Sequence, residues 1–203
     1  MVDRFVAALG LCSLVAAGLS PALAGGTPAE RCTAAKQKAA GKKVASKMSC
    51  FAKSQATSTP PDSGCLGKAD AKFAAAVAKA DTQGPCPTTQ PEAAIEGAAD
   101  FCVNIFLLEN NGLGKCPAAI SKATGKAVSA ELSCSAKDIT KPGSFGACET
   151  KSNAKFSQAF GKAGNCGPNE TAIQFDIDGC RLTIQSLTPA TTTTSTSTTT
   201  TTL

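Results

Sequence analysis

The sequence predicts an all-α protein built from a duplicated three-helix module, each module an antiparallel helical hairpin plus a third helix, stapled by disulfides. Three observations carry that prediction. Cys32, Cys50, Cys65, Cys86 and Cys102 are followed at nearly the same intervals by Cys116, Cys134, Cys148, Cys166 and Cys180. The residues between them recur too: Ala39, Gly41, Lys42, Val44, Ser49, Ala52 and Lys53 return as Ala123, Gly125, Lys126, Val128, Ser133, Ala136 and Lys137, the mark of an internal repeat. The chain is rich in Ala and Lys, both good helix formers, and its breaks fall where Pro and Gly gather.

Taken in order, residues 1–24 read as a signal peptide. Arg4 precedes an apolar run from Phe5 to about Gly18, and Ala22-Leu23-Ala24 has the small-x-small pattern of a cleavage site, so Gly25 is the expected start of the mature chain. Cys12 lies in that run and is lost with it. Ten cysteines then remain, an even count that export to an oxidising compartment turns into a disulfide framework. The expected location is secreted, periplasmic or cell-surface. No transmembrane segment is expected in the mature chain, because no later apolar stretch approaches the roughly 20 residues of a spanning helix. The sequence sets no oligomeric state.

Residues 25–110 form the first expected module and 111–187 the second. Cys32 and Cys50 stand 18 residues apart, as do Cys116 and Cys134, and Cys148 and Cys166; this is five helical turns, so both cysteines of a pair share one face. Pro60-Pro61-Asp62 and Lys141-Pro142-Gly143 break the chain after Cys50 and Cys134 and fold each module into an antiparallel hairpin. Packing of that kind sets Cys50 beside Cys65 and Cys32 beside Cys86, then Cys134 beside Cys148 and Cys116 beside Cys166. Cys65 and Cys86 fit less well, and Gly84-Pro85 is expected to unwind the last turn. A third helix starts near Pro91-Glu92 and again near Asn169-Glu170. Its cysteine is left over in each module, so Cys102 and Cys180 either bridge the modules or stay free; the bridge is the expectation. Asn110-Asn111-Gly112 has turn chemistry for the linker. Residues 188–203, almost pure Thr and Ser, cannot bury enough apolar surface to order themselves and read as an extended stalk suited to O-glycosylation.

Helical phase divides each hairpin into two sides. Counted at about 100° per residue from Cys32, Val44, Met48 and Phe51 lie to one side, and Lys38, Lys42 and Lys53 to the other. Counted from Cys65, Leu66, Phe73 and Val77 separate from Lys68, Lys72 and Lys79 in the same sense. The apolar side receives the third helix, and the other side is a sheet of lysines. The second module repeats it with Lys122, Lys126, Lys137, Lys151, Lys155 and Lys162. Carboxylates gather instead on the third helices, as Glu92, Glu96, Asp100 and Glu109, then Glu170, Asp176 and Asp178.

Much chemistry is excluded by composition. With no His among 203 residues, Ser-His-Asp and Cys-His mechanisms and imidazole metal sites are absent. No C-x-x-C pair exists for zinc, an iron–sulfur cluster or thiol exchange, and no metal or cofactor is expected. Gly41-Lys42 and Gly125-Lys126 lack the upstream glycine of a phosphate loop and read as small residues where helices approach closely. Ser152 and Lys155 have the S-x-x-K spacing of lysine-assisted serine hydrolases, but the copy has Ala69 and Lys72 and no companion motif is present. The third-helix carboxylates could form a glycosidase-like pair; solvated helix faces and N-terminal stabilisation explain them more cheaply. Asn169-Glu170-Thr171 is a glycosylation sequon that also places Asn at a helix N-cap, the preferred reading.

The string Cys50-Phe51-Ala52-Lys53, then Cys65-Leu66-Gly67-Lys68-Ala69-Asp70-Ala71-Lys72-Phe73, then Ala78-Lys79-Ala80, with the Thr/Ser tail, resembles uncharacterised secreted bacterial proteins that carry repeated Cys-rich, Ala/Lys-rich helical modules. That resemblance implies membership and no activity. The clipped hairpin also looks like α-hairpinin peptides, whose closely spaced cysteine pairs this chain lacks, so their roles do not carry over. The functional expectation is a secreted or surface-displayed structural or binding module without catalysis. One alternative is binding of a polyanion, an acidic polysaccharide or an anionic envelope surface, through the lysine faces; nucleic acid is not expected, because Tyr and Trp for stacking are absent. The other is a small apolar ligand carrier with a cavity lined by Val44, Met48, Phe73, Val77, Ile95 and Phe106.

Overall fold

The computed structural model describes residues 26–82, 84, 86, 91–164 and 166–189. The expected signal peptide with Cys12, and the tail from residue 190, lie outside the described residues. Six helices and no strand are found among those described: α1 (Pro28–Thr57), α2 (Ser63–Asp81), α3 (Glu92–Glu109), α4 (Lys115–Thr140), α5 (Phe145–Ala163) and α6 (Glu170–Leu187). None of these six helices is long and apolar enough to cross a membrane.

Local chemistry sets the boundaries. α1 opens with a capping box in which Glu30 N donates to Thr27 Oγ1 and Thr27 N donates to Glu30 Oε2, satisfying backbone donors that have no partner inside the helix. It stops at Ser58, whose φ of 53° is left-handed, and Pro60-Pro61 prevents resumption. Asp62 caps α2 by accepting from Gly64 N at 2.9 Å. Ser144 offers α5 no side-chain cap; Asp138 of α4 does so instead, accepting from Ser144 N and Phe145 N at 2.7 and 2.9 Å. Asn169 accepts from Thr171 N at 2.8 Å, the N-cap geometry expected of it.

All five pairs form as expected: Cys32–Cys86, Cys50–Cys65, Cys116–Cys166, Cys134–Cys148 and, between the halves, Cys102–Cys180. Their Cα separations of 5.3 to 6.0 Å lie inside the range a disulfide spans without moving backbone. One expectation needs correction. The spacing places Cys148 and Cys166 on one helix, yet α5 ends at Ala163 and Gly164 turns away with φ 93°, so Cys166 reaches Cys116 from a loop, much as Cys86 reaches Cys32 beyond Gly84. The tail boundary also shifts. Thr188 is buried at the end of α6, where Gln37 Nε2 donates to its Oγ1 at 3.0 Å, and it belongs to the folded body.

Four directions around α1 explain the architecture. Cys50, at the same phase as Cys32, points to α2; Gly41 and Met48, roughly opposite, meet α4; Lys43 and Lys47 reach toward α3. Lys38, Lys42, Ser49 and Lys53 take the remaining side and are exposed. α4 repeats this pattern, so the order α2, α1, α4, α5 makes one layer, and α3 and α6 cover one of its faces. The α1–α4 contact is the most extensive among the described helices. A Cβ built on Gly41 would lie 3.0 Å from Ser129 Cα and 3.2 Å from Leu132 Cβ, and one on Gly125 would lie 2.7 Å from Met48 Cβ and 3.1 Å from Ala45 Cα. The helices are therefore antiparallel, and matched residues exchange matched contacts. Between the layers lies one core, with Val44, Met48, Phe73, Val77, Ile95 and Phe106 from the first half and Val128, Leu132, Phe156, Ile173, Ile177 and Ile184 from the second.

Candidate functional site

The face of the four-helix layer that α3 and α6 leave uncovered is the candidate site. All twelve lysines assigned to it from sequence are exposed: Lys38, Lys42 and Lys53 on α1, Lys68, Lys72 and Lys79 on α2, Lys122, Lys126 and Lys137 on α4, and Lys151, Lys155 and Lys162 on α5. None of them comes within ion-pair distance of a carboxylate among the described residues. Ala and Ser between the lysines leave shallow grooves at the helix seams. Lys42 and Lys72 flank a groove of about 310 Å³ over Ala39, Ala69 and Phe73. Lys126 and Lys155 flank one of about 360 Å³ over Ala123, Ala127 and Phe156. These two grooves occupy matched seams of the two halves.

A third groove joins them. Lys68 and Lys72 of α2 and Lys126 of α4 line it across Ala45, Ser46 and Ser49 of α1, so cations from both halves share one depression. A fourth, over Ala52 and Ala118, gathers Lys53 and Lys122 and adds Lys115, which sequence comparison of the halves misses because its counterpart is Arg31 rather than Lys. Lys38, Lys79, Lys137, Lys151 and Lys162 are exposed but line none of these grooves. Four of the spacings are i,i+4: Lys38/Lys42, Lys68/Lys72, Lys122/Lys126 and Lys151/Lys155. Like charges so placed destabilise a helix by about 0.2–0.5 kcal/mol per pair, a cost that folding alone does not require.

Other lysines are structural. Lys43 is buried and donates to Glu96 at 2.6 Å and Asp100 at 3.1 Å, with Asp70 at 3.0 Å and the Phe73 ring centroid at 5.1 Å. Lys47 pairs with Asp70 at 2.8 Å and Asp100 at 2.7 Å. Burial would lower the Lys43 ammonium, but its close contacts with the carboxylates of Glu96, Asp70 and Asp100 outweigh it and hold the group above its ordinary value. Burial would likewise raise Asp70, and the two lysines outweigh it downward. The three carboxylates approach one another closely enough for a metal ion, but two ammonium groups occupy the space between them. Cys32, Asp81 and Cys86 also converge; the sulfurs are joined to each other and Asp81 pairs with Lys36 at 2.7 Å.

In the second half the polar centre is Glu131, fully buried on α4. Gln174 Nε2 donates to its Oε1 at 3.1 Å, while Arg181 Nε stands 3.5 Å from Oε2 without a hydrogen bond. Arg181 also faces Asp178 at 3.6 Å, Glu149 at 3.9 Å and the Phe145 ring. Burial, helped by the carboxylates of Asp178 and Glu149, pushes Glu131 up to about 7 against the opposing pull of Gln174 and Arg181.

The remaining sequence candidates resolve plainly. Ser152 Oγ is buried and closed to solvent while Lys155 is exposed, so the S-x-x-K pair presents no accessible nucleophile. Glu96 and Asp100, two of the carboxylates weighed as an acid–base pair, are engaged by lysines. Val44, Met48, Phe73, Val77, Ile95 and Phe106 pack together in the common core, and only Phe73 reaches one of the grooves. No protein-family model matches the chain, and no curated protein or solved structure matches it either.

Proposed function

We propose that the chain is an exported, disulfide-stapled helical binding module, not an enzyme, which holds an acidic polysaccharide against the lysine face of its four-helix layer. The observation that carries this reading is the set of exposed lysines from all four helices, free of carboxylate partners among the described residues and seated on Ala- and Ser-floored grooves that run across both halves. Such a floor lets a polymer backbone approach while the ammonium groups meet its charges. The cluster stands out against a net charge of only +5, because seven of the fifteen carboxylates lie on α3 and α6 and several of the others are taken up by Lys36, Lys43, Lys47 and Arg181. In the same reading the Thr/Ser tail is a spacer, and the resemblance to secreted Cys-rich repeat proteins fits an extracellular setting.

Retention on immobilised dextran sulfate under a salt gradient tests it. Each lysine near an anionic surface contributes about 1 kcal/mol, so replacing Lys42, Lys72, Lys126 and Lys155 by Gln should weaken binding by roughly a hundredfold or more and move elution to much lower salt. A control with Lys38, Lys79, Lys137 and Lys162 replaced carries the same charge change away from the grooves and should retain most of the binding. Equal loss in both variants would reduce the effect to net charge and reject the groove. Tighter capture by anionic lipid vesicles than by the polysaccharide would replace the proposed ligand with a membrane surface.

A further inference from the structure

The opposite face of the molecule carries a second feature that the lysine grooves do not use. Four large apolar side chains stand out from the covering layer: Phe101 at 58 % and Leu108 at 77 % exposure on α3, Phe175 at 77 % and Leu182 at 57 % on α6. On each helix the two lie seven residues apart, two turns along one stripe, and roughly opposite the stripe of Ile95, Ala99 and Phe106 or of Ile173, Ile177 and Ile184 that enters the core. The Cys102–Cys180 bond pins the helices together, and Glu109 meets Asp176 further along, so α3 and α6 run antiparallel. Phe101 therefore sits near Leu182, and Leu108 near Phe175, in one outward patch.

Charge says what fits there. Glu109 follows Leu108 and Asp176 follows Phe175, so two apolar–acidic steps face each other at one end of the patch. The carboxylates crowd: burial first, then the facing Asp176, raises Glu109 above its ordinary value, and Asp176 Oδ2 is buried without a hydrogen-bond donor. Neither has a basic partner among the described residues, and Arg181, the only basic residue on α3 or α6, is turned to Glu131, Glu149 and Asp178. The geometry points to a docking surface for a cationic amphipathic helix of a partner protein, its apolar stripe on Phe101, Leu108, Phe175 and Leu182 and a Lys or Arg between Glu109 and Asp176. A second copy apposing this same face would bring acidic helices against acidic helices, which disfavours self-pairing.

The test uses the full mature chain and a labelled Leu/Lys amphipathic helical peptide of about four turns, with a Leu/Gln peptide of the same pattern as its neutral counterpart, followed by fluorescence anisotropy. The cationic peptide should bind at least about tenfold more tightly than the neutral one. Replacing Leu108 and Phe175 by Asn should cost at least about tenfold, as truncating interface anchors does. Glu109→Gln with Asp176→Asn should weaken binding and flatten its salt dependence. All four positions are exposed or half-exposed, and circular dichroism checks that the variants fold. The four-lysine groove variant should bind the peptide as wild type does, which separates this surface from the polyanion face. Peptide binding indifferent to both double variants would overturn the inference. So would a wild-type chain that sediments as a dimer and becomes monomeric on the Leu108/Phe175 change, since a second copy would then cover the patch.

Discussion

The two halves solve one packing problem with opposite charges. In the first, the long helix sends Lys43 and Lys47 toward Asp70, Glu96 and Asp100. In the second, the position matched to Lys47 is Glu131, the residues matched to Asp70 and Glu96 are the amides Asn153 and Gln174, and the one matched to Val103 is Arg181. The site under the covering helix thus tolerates either sign, provided that its neighbours change as a set. Compensation is unequal, however. Lys43 has three carboxylates within 3.1 Å, whereas Glu131 shares one arginine, 3.5 Å away, with two other acids. A buried charge is cheap only when fully paired, so the first cluster is a net tie between helices and the second a stored cost.

The largest test removes the central cation of the first cluster. Lys43→Met leaves Asp70, Glu96 and Asp100 facing one another with Lys47 alone, and should cost about 3 to 5 kcal/mol at pH 7, the scale of breaking a buried ion pair; a loss under about 1 kcal/mol in denaturant titration would mean that solvent already screens the site. The second half should respond in the opposite sense. A carboxyl raised from 4.5 to about 7 in the folded chain keeps its proton where the unfolded chain has lost it, so stability falls as pH rises from about 4.5 to 7 and stays lowered above that. Glu131→Gln should therefore stabilise by about 2 to 3 kcal/mol at pH 8 and by almost nothing at pH 4.5. Equal effects at both values would assign the change to packing. Asp70, held low by its lysines, pulls the other way: its contribution is present above the unfolded pKa and is lost as pH falls through the folded one.

The smallest effect compares the two glycines of the seam. Gly125→Ala drives a new methyl against Met48 Cβ and Ala45 Cα, while Gly41→Ala meets Ser129 Cα and Leu132 Cβ slightly farther off. Overpacking costs about 1 to 3 kcal/mol, and Ala in place of Gly returns up to about 1 kcal/mol of helix propensity. Thermal melts should show Gly125→Ala as the more damaging of the two. The reverse order would indicate that α4 shifts more easily than α1.

Much of this was readable from spacing. Cysteines five turns apart fixed the hairpins, because a covalent bond tolerates little error in phase, and the sign of the lysine offsets put them on the uncovered face. The buried charges were not readable by the same route. Lys43, Lys47 and Glu131 are not shared by the two halves, so comparing the halves discards them, and whether a lysine near the Cys32 phase is buried depends on where α3 lies. The α1–α4 seam was half legible: Gly41 and Gly125 marked a close approach of helices, but which helices meet there was hidden, since Ala45 and Ser129 carry little hydrophobic signal. Thr188 looked like the first residue of the tail because its role depends on Gln37, distant in sequence.

That last contact has a counterpart. Gln37 of α1 holds Thr188 at the end of α6, and Ser121 of α4 accepts from Asn110 at the end of α3 at 2.8 Å, so each third helix finishes on the other half's long helix. The seam around Gly41, Ala45 and Met48 meets its own matched residues after a half turn. A fragment stopped near Asn111 would then expose a self-complementary seam, an unpaired Cys102 and an unheld Asn110, and a second copy of that fragment would satisfy all three at once. The single chain is in this sense a tethered two-fold dimer. Its short linker keeps the second half at an effective concentration that no dilution can lower, so the two halves can differ in charge and still stay paired.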